Sequence, residues 1–390
     1  MTTAPLAQRL DAIEPFHAMA LFRRAAALQA AGRPIIHMSL GEPDFGAPPA
    51  AIAALAEAAR RGLAGYSPAT GIPALREAIA AHYERVHGIA LDPQRVIVTT
   101  GGTGALVLAC ALTLDVGSEV LMPDPTYPCN RHIVSAFNAT TRLLPAGPEK
   151  RFQLDADDIR RHWGPNTRAV MLASPSNPTG TTITAEELAS VWAAVEQRSG
   201  WLVFDEIYNE LTYGGPTPRT ALALDDDILV LNSFSKYFSM TGWRLGWLVV
   251  PPRLVAQAEK LMANLTICPP TLAQHAALAC FTLESIAICE QRRAELAQRR
   301  DFIVPALKRL GIGVPTEPDG AFYVYGDVSR FGMSGEKLAA YLLDQAEVSL
   351  VPGMDFGVHD AARWMRFTYS TALPQLQEAV GRMERALGRL

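Results

Sequence analysis

Short apolar runs alternate with amphipathic stretches through the middle of the chain. VIVTT (96–100), EVLMP (119–123), AVMLAS (169–174), WLVFDE (201–206) and the runs 228–231 and 245–250 have the length and composition of buried strands. Helical stretches separate most of them. They include the apolar ALVLACALTL after VIVTT and a segment after AVMLAS for which Thr184 is the expected N-cap. Strands alternating with helices predict an α/β fold: a mostly parallel sheet in a three-layer α/β/α domain, with its binding crevice outside the carboxyl ends of the strands.

The flanks read differently. Positions 16–31 carry helical periodicity that stops at Gly32, a suitable C-cap. IIHMSL reads as a strand running into the turn Gly41-Glu42-Pro43-Asp44-Phe45, and helices at 49–62 and 73–87 flank the loop 66–71. Beyond Pro251, helices are expected at 252–264, 272–283, 285–310, 335–344 and 374–389, with short strands in AFYVYG, VSLVPG and WMRFTYS. The helix at 285–310 contains QRRAELAQRRDF, a charge run best read as a solvated face. These segments predict a smaller α+β domain completed by the N-terminal segment.

Composition narrows the function classes. The chain has 390 residues, 49% of them hydrophobic, and a formal net charge of -4. That is ample core for two or three domains, with no basic footprint for nucleic acid or a membrane surface. Cys110, Cys129, Cys268, Cys280 and Cys289 are scattered and never spaced CxxC, as expected of reduced thiols and not of a disulfide frame or metal site. MTTAPLAQRLDAIEP lacks the apolar core of a signal peptide, and no run approaches a transmembrane span. The expectation is a soluble cytoplasmic protein without a metal.

Candidate chemistry gathers in DILVLNSFSKYFSMTGWRLGWLVV (227–250). Lys236 follows one apolar run and Arg244 precedes the next, with Ser233 and Ser235 beside the lysine. A lysine amine of lowered pKa attacks carbonyls, and arginine with serine hydroxyls grips a phosphate. Pyridoxal phosphate needs both. Taken alone, the stretch reads equally well as a solvated loop. Position favours a site: Gly102, Thr103, Tyr127, Asn177, Asp205 and Lys236 all fall at predicted strand ends. The glycine-rich turn 101–104 also offers a helix N-terminus to an anion. Tyr66, alone in its loop, reads as packing.

In chain order, SLGEPDF, YSPATGIPALREAI, GGTGAL, SPSNPTG, FDEIY, SFSKYFSMTGWRLGW and RFTYS resemble the motifs of class I/II aminotransferases. These are pyridoxal-phosphate enzymes of fold type I in the aspartate aminotransferase superfamily, and the resemblance spans nearly the whole chain. It implies a large cofactor domain at 46–284 and a small domain made of 1–45 and 285–390. It also implies a Schiff base between Lys236 and the cofactor, after which Lys236 shuttles the proton between the substrate α-carbon and the cofactor. Asp205 would pair with the pyridine nitrogen, Asn177 and Tyr208 with the ring oxygen, and Tyr127 would stack on the ring. The backbone of Gly102 and Thr103, with Ser233, Ser235 and Arg244, would hold the phosphate. Arg366, with Gly41 and Asn177 nearby, would take the substrate α-carboxylate. Tyr66 would reach the phosphate of a neighbouring subunit, which makes a homodimer part of the site.

The implied activity moves an amino group from an L-amino acid to a 2-oxo acid in two half-reactions. A lyase on the same scaffold, such as a cysteine-conjugate β-lyase or an aminocyclopropane-carboxylate synthase, shares these motifs. A transcription regulator on this fold would need a basic helix-turn-helix extension, and only a short segment precedes SLGEPDF. Gly101 stands where many relatives carry serine, and Tyr127 replaces the tryptophan of some. Dicarboxylate-specific members use a second arginine, and none occurs at 254–291, although Lys260 does. A neutral donor is therefore expected to surpass aspartate, whose distal carboxylate would be desolvated unpaired.

Overall fold

The computed structural model describes residues 4–15, 18–215 and 217–390; Phe16, the expected start of the first helix, lies outside the described residues. In chain order the strands are β1 (Ile36–His37), β2 (Val96–Thr99), β3 (Glu119–Asp124), β4 (Thr140–Pro145), β5 (Thr167–Ala173), β6 (Trp201–Asp205), β7 (Leu229–Ser233), β8 (Gly246–Val249), β9 (Tyr323–Asp327), β10 (Val348–Ser349), β11 (Val351–Pro352) and β12 (Trp364–Thr368). The α-helices are α1 (Ala18–Ala30), α2 (Pro49–Arg60), α3 (Pro73–His87), α4 (Gly101–Thr113), α5 (Pro128–Ala136), α6 (Ala156–His162), α7 (Ala185–Glu196), α8 (Val255–Leu265), α9 (Thr271–Ala277), α10 (Leu283–Arg309), α11 (Gly335–Ala346) and α12 (Leu373–Leu387).

A seven-stranded sheet with the order β2-β8-β7-β6-β5-β3-β4 carries the fold. From β7 to β4 every pairing is parallel, whereas β8 is antiparallel to both of its neighbours. The β7–β8 link, residues 234–245, holds only the 3-10 turn Thr241–Trp243, too short for a crossover helix, so the chain turns back. Alternate residues enter two cores. Val98, Val170 and Val230 face one, and Ile97, Met171 and Leu231 face the other. A sheet buried on both faces between helices is the three-layer α/β architecture expected. Thr184 starts α7 as predicted. Its hydroxyl accepts the Glu187 N–H at 3.2 Å, and the Glu187 carboxylate accepts the Thr184 N–H at 2.8 Å.

The smaller sheet is antiparallel, in the order β11-β12-β9, and β1 pairs separately with β10. VSLVPG is therefore not one strand: it splits at Leu350 so that its halves serve different sheets. IIHMSL keeps strand pairing only at Ile36–His37 and then leaves the sheet toward the cavity described below. The helix expected at 272–283 gives way to 3-10 geometry at Leu278–Phe281. The solvated-face expectation for the arginine-rich helix fails on one side of α10. Arg299 is only 2% exposed and donates to Asp44 at 2.7 Å and to Glu295 at 2.5 Å. Arg292 donates to the Gly46 carbonyl at 2.8 Å, and both guanidiniums stack on Phe45, at 5.3 and 5.0 Å. Arg292 and Arg299 lie two turns apart on one helix face, and that face grips the turn 41–46. Among the described residues no single helix is long and apolar enough to cross a membrane.

Candidate active site

The ends of β5, β6 and β7 and the first turn of α4 open onto one cavity of about 380 Å³. Residues 39–42, Phe22 of α1 and the β11–β12 region form its other walls. Gly41, Gly102, Thr103, Tyr127, Asn177, Asp205, Tyr208, Ser235, Lys236, Arg244 and Arg366 all line it, so most of the candidate residues come together. Two do not. Ser233 is buried behind the wall, where its hydroxyl accepts the Ser235 N–H at 3.0 Å and donates to the Leu245 carbonyl at 3.0 Å. Tyr66 is 85% exposed on the surface, so packing within the subunit does not explain it.

Lys236 sits just past β7, and its Nζ donates to the Gly41 carbonyl at 2.5 Å. Burial, aided by the positive charges of Arg366 and Arg244, brings its pKa down to about 8 against the opposing pull of Glu42 and Asp205. Asp205 ends β6 and is buried, and its carboxylate accepts the Ile207 N–H at 2.9 Å. Burial pushes its pKa up to about 7, with the Ile207 N–H and Lys236 pulling the other way. A carboxylate so placed gains from any cation brought into the cavity, because the low local dielectric strengthens the pairing.

Arg244 and the α4 N-terminus build a positive end. Arg244 adopts a left-handed backbone (φ 53°), and its Nη1 donates to the Thr241 carbonyl at 3.0 Å. A Cβ on Gly101, itself at φ +70°, would lie 2.7 Å from the Arg244 Nη2. The glycine that removes a serine hydroxyl thus lets a guanidinium approach the helix start. Free N–H groups and the helix dipole make this end attractive to an anion, and Ser235 and Thr241 stand on the same wall.

Arg366, on β12, forms a second cationic point. Its Nη1 donates to Asn177 Oδ1 at 2.9 Å and its Nη2 to the Ser39 carbonyl at 2.7 Å. Its guanidinium lies 4.5 Å from the Tyr323 ring centroid and 4.9 Å from that of Phe356, while its buried Nε–H has no protein partner. Tyr208 shares a 2.8 Å hydrogen bond with the Tyr323 hydroxyl, and burial raises the pKa of both phenols. A Cβ on Gly41 would meet that Tyr323 hydroxyl at 3.3 Å, a tight approach. Tyr323, Ser39, Phe22 and Phe356 are absent from the sequence reading. Phe22 and Phe356 lie in no motif, Ser39 opens SLGEPDF without a side-chain chemistry that singles it out, and register across the small sheet (Tyr323 opposite Thr368) sets Tyr323 in place.

The aminotransferase class I and II family matches residues 33–383. The chain belongs to that family. The valine–pyruvate aminotransferase of Mycobacterium tuberculosis is 40% identical over 372 residues, 95% of this chain and 96% of the relative. The aspartate aminotransferase of Geobacillus stearothermophilus is 33% identical over 97% of this chain and 98% of its own length. Among solved structures, an aminotransferase from Mycobacterium tuberculosis superposes with a TM-score of 0.95 at 39% identity, covering 100% of both chains. The Thermus thermophilus aspartate aminotransferase with maleate gives 0.92 at 32% identity, covering 98% of this chain and 100% of that one. The protein is an aminotransferase of fold type I.

Proposed function

We propose that the aminotransferase works with pyridoxal phosphate on Lys236 and passes the amino group of a neutral L-amino acid to a 2-oxo acid. The observation that carries this reading is the sharing of one cavity by Lys236, its amine brought near neutrality, with Asp205 and Arg366. The donor set fits the cofactor. Gly102, Thr103, Ser235 and Arg244 would hold its phosphate, Asp205 its ring nitrogen, Asn177 and Tyr208 its ring oxygen, and Tyr127 its ring face. When bound, the cofactor supplies an aldehyde for amino groups and a ring that draws electrons from the substrate α-carbon. Arg366 would bind the α-carboxylate through its spare N–H groups and set the α-carbon beside Lys236. The Lys236 Nζ, once free, would take the α-proton as general base and return it as acid.

Among the described cavity-lining residues the cations are Lys236, Arg244 and Arg366, and each has a place in this scheme. Glu42, also on the wall, would repel a distal carboxylate. A small neutral donor such as alanine or valine suits this wall and the apolar Phe22, Leu40 and Val351. The valine–pyruvate relative supports the same choice. Five free thiols suit a reducing, cytoplasmic setting. The division into 46–284 and 1–45 with 285–390 suits a cavity walled by both sheets.

A single-turnover half-reaction tests the proposal. Holoenzyme given valine without an acceptor should release one equivalent of 2-oxo acid per Lys236 and then stop until pyruvate is added. Aspartate should react more slowly. Continuous release of pyruvate and ammonia from a cysteine S-conjugate without an acceptor would mean a lyase, and a tenfold advantage for aspartate would overturn the donor assignment.

A further inference from the structure

Asp124 is the last residue of β3 and is 4% exposed, yet it does not line the cavity. Its Oδ2 accepts two backbone N–H groups from a distant loop, Val358 at 2.9 Å and His359 at 3.0 Å. Two residues on, the Thr126 N–H donates to the Phe356 carbonyl at 2.8 Å. The loop is thus tied to the end of the large sheet by three hydrogen bonds, two of them to one carboxylate. Gly357 lies against that carboxylate so closely that a Cβ there would fall within it, although its backbone is not left-handed. The loop's own side chain in the cavity is Phe356, 2% exposed and packed with Phe152, Tyr325, Val351 and Trp364. Its ring is one of the two that flank the Arg366 guanidinium.

We propose that Asp124 is a positioning residue for the substrate-carboxylate site: it fastens the 356–359 loop to β3 and so holds Phe356 against Arg366. The inference rests on the reading that Arg366 takes the α-carboxylate. With the loop released, Arg366 keeps its bonds to Asn177 and Ser39 but loses one flanking ring, so its remaining donors are no longer preorganised. The α-carboxylate is bound in the ground state and the transition state alike. Weakening its grip therefore raises KM for donor and acceptor and changes kcat little.

The experiment uses steady-state kinetics of the holoenzyme with its best amino donor and 2-oxo acid, on Asp124→Ala, Asp124→Asn, Gly357→Ala, the Asp124→Ala/Gly357→Ala double variant and Arg366→Lys. Asp124→Ala should raise both KM values by about tenfold with kcat within about threefold. Asp124→Asn, whose amide oxygen still accepts both N–H groups, should restore them. Gly357→Ala should act like Asp124→Ala, and the double variant should be no worse than Asp124→Ala, because the collision partner is already gone. Amide exchange at Val358 and His359 should quicken in Asp124→Ala and not in Asp124→Asn. If Asp124→Ala does not fold, Gly357→Ala and its exchange rates decide. An unchanged KM in Asp124→Ala or Gly357→Ala, beside a raised KM in Arg366→Lys, overturns the clamp. An unchanged KM in Arg366→Lys overturns the proposal at its base, the carboxylate role of Arg366.

Discussion

Lys236 is partly buried on the cavity wall, and burial with the neighbouring Arg366 and Arg244 charges takes its pKa to about 8. The consequence has a definite sign. The neutral amine is the nucleophile, and its share grows as pH rises: about a tenth at pH 7 and about half at pH 8, against less than about a thousandth at pH 7 for an ordinary lysine. Capture of pyridoxal phosphate by the apoprotein, followed by absorbance, should therefore speed up with pH to a midpoint near 8. A midpoint above 10 would show that the ammonium is not desolvated. Lys236, Asp205 and Asn177 are legible in the sequence because their chemistry is unusual for a strand end and the parallel sheet brings those ends together. Tyr323 and Ser39 are not legible. Tyr323 owes its place to which strands become neighbours in the small sheet, and Ser39 acts on Arg366 through a backbone carbonyl that every residue has, so local spacing encodes neither.

Among the elements, α10 differs most from its sequence pattern. Its arginines look like a solvated row, yet Arg299 is buried between Asp44 and Glu295 and covers Phe45. Charge alone could not distinguish the two faces. The acceptor, the turn at 41–46, lies far off in sequence. The same turn carries Gly41, whose carbonyl holds Lys236. Arg299→Ala should therefore destabilise the fold by about 2–3 kcal/mol, a buried pair discounted for the partly exposed acids. Urea unfolding measures this directly, and an unmoved midpoint would refute the clasp. The β8 strand shows the opposite case. Its apolar run is plain in the sequence, but its antiparallel direction goes with a preceding link that holds no crossover helix and does not follow from the run itself.

For the whole molecule, Tyr66 gives the reason to expect a second copy. It is 85% exposed beside Ser67, which Gln274 of α9 holds at 3.0 Å, and Leu265 and Ile267 just before α9 are also exposed. We infer that this surface meets a partner subunit and that Tyr66 serves the partner's cavity. Sedimentation at micromolar concentration should find a species of twice the 42.2 kDa chain mass. A fully active monomer would contradict it. The central claim, that this cavity carries its cofactor on Lys236, is tested most directly by borohydride reduction of the pyridoxal-phosphate-loaded enzyme followed by peptide mapping. The label should appear on the peptide containing Lys236 and vanish in Lys236→Ala. A label on another lysine, or one that survives that substitution, would contradict the claim.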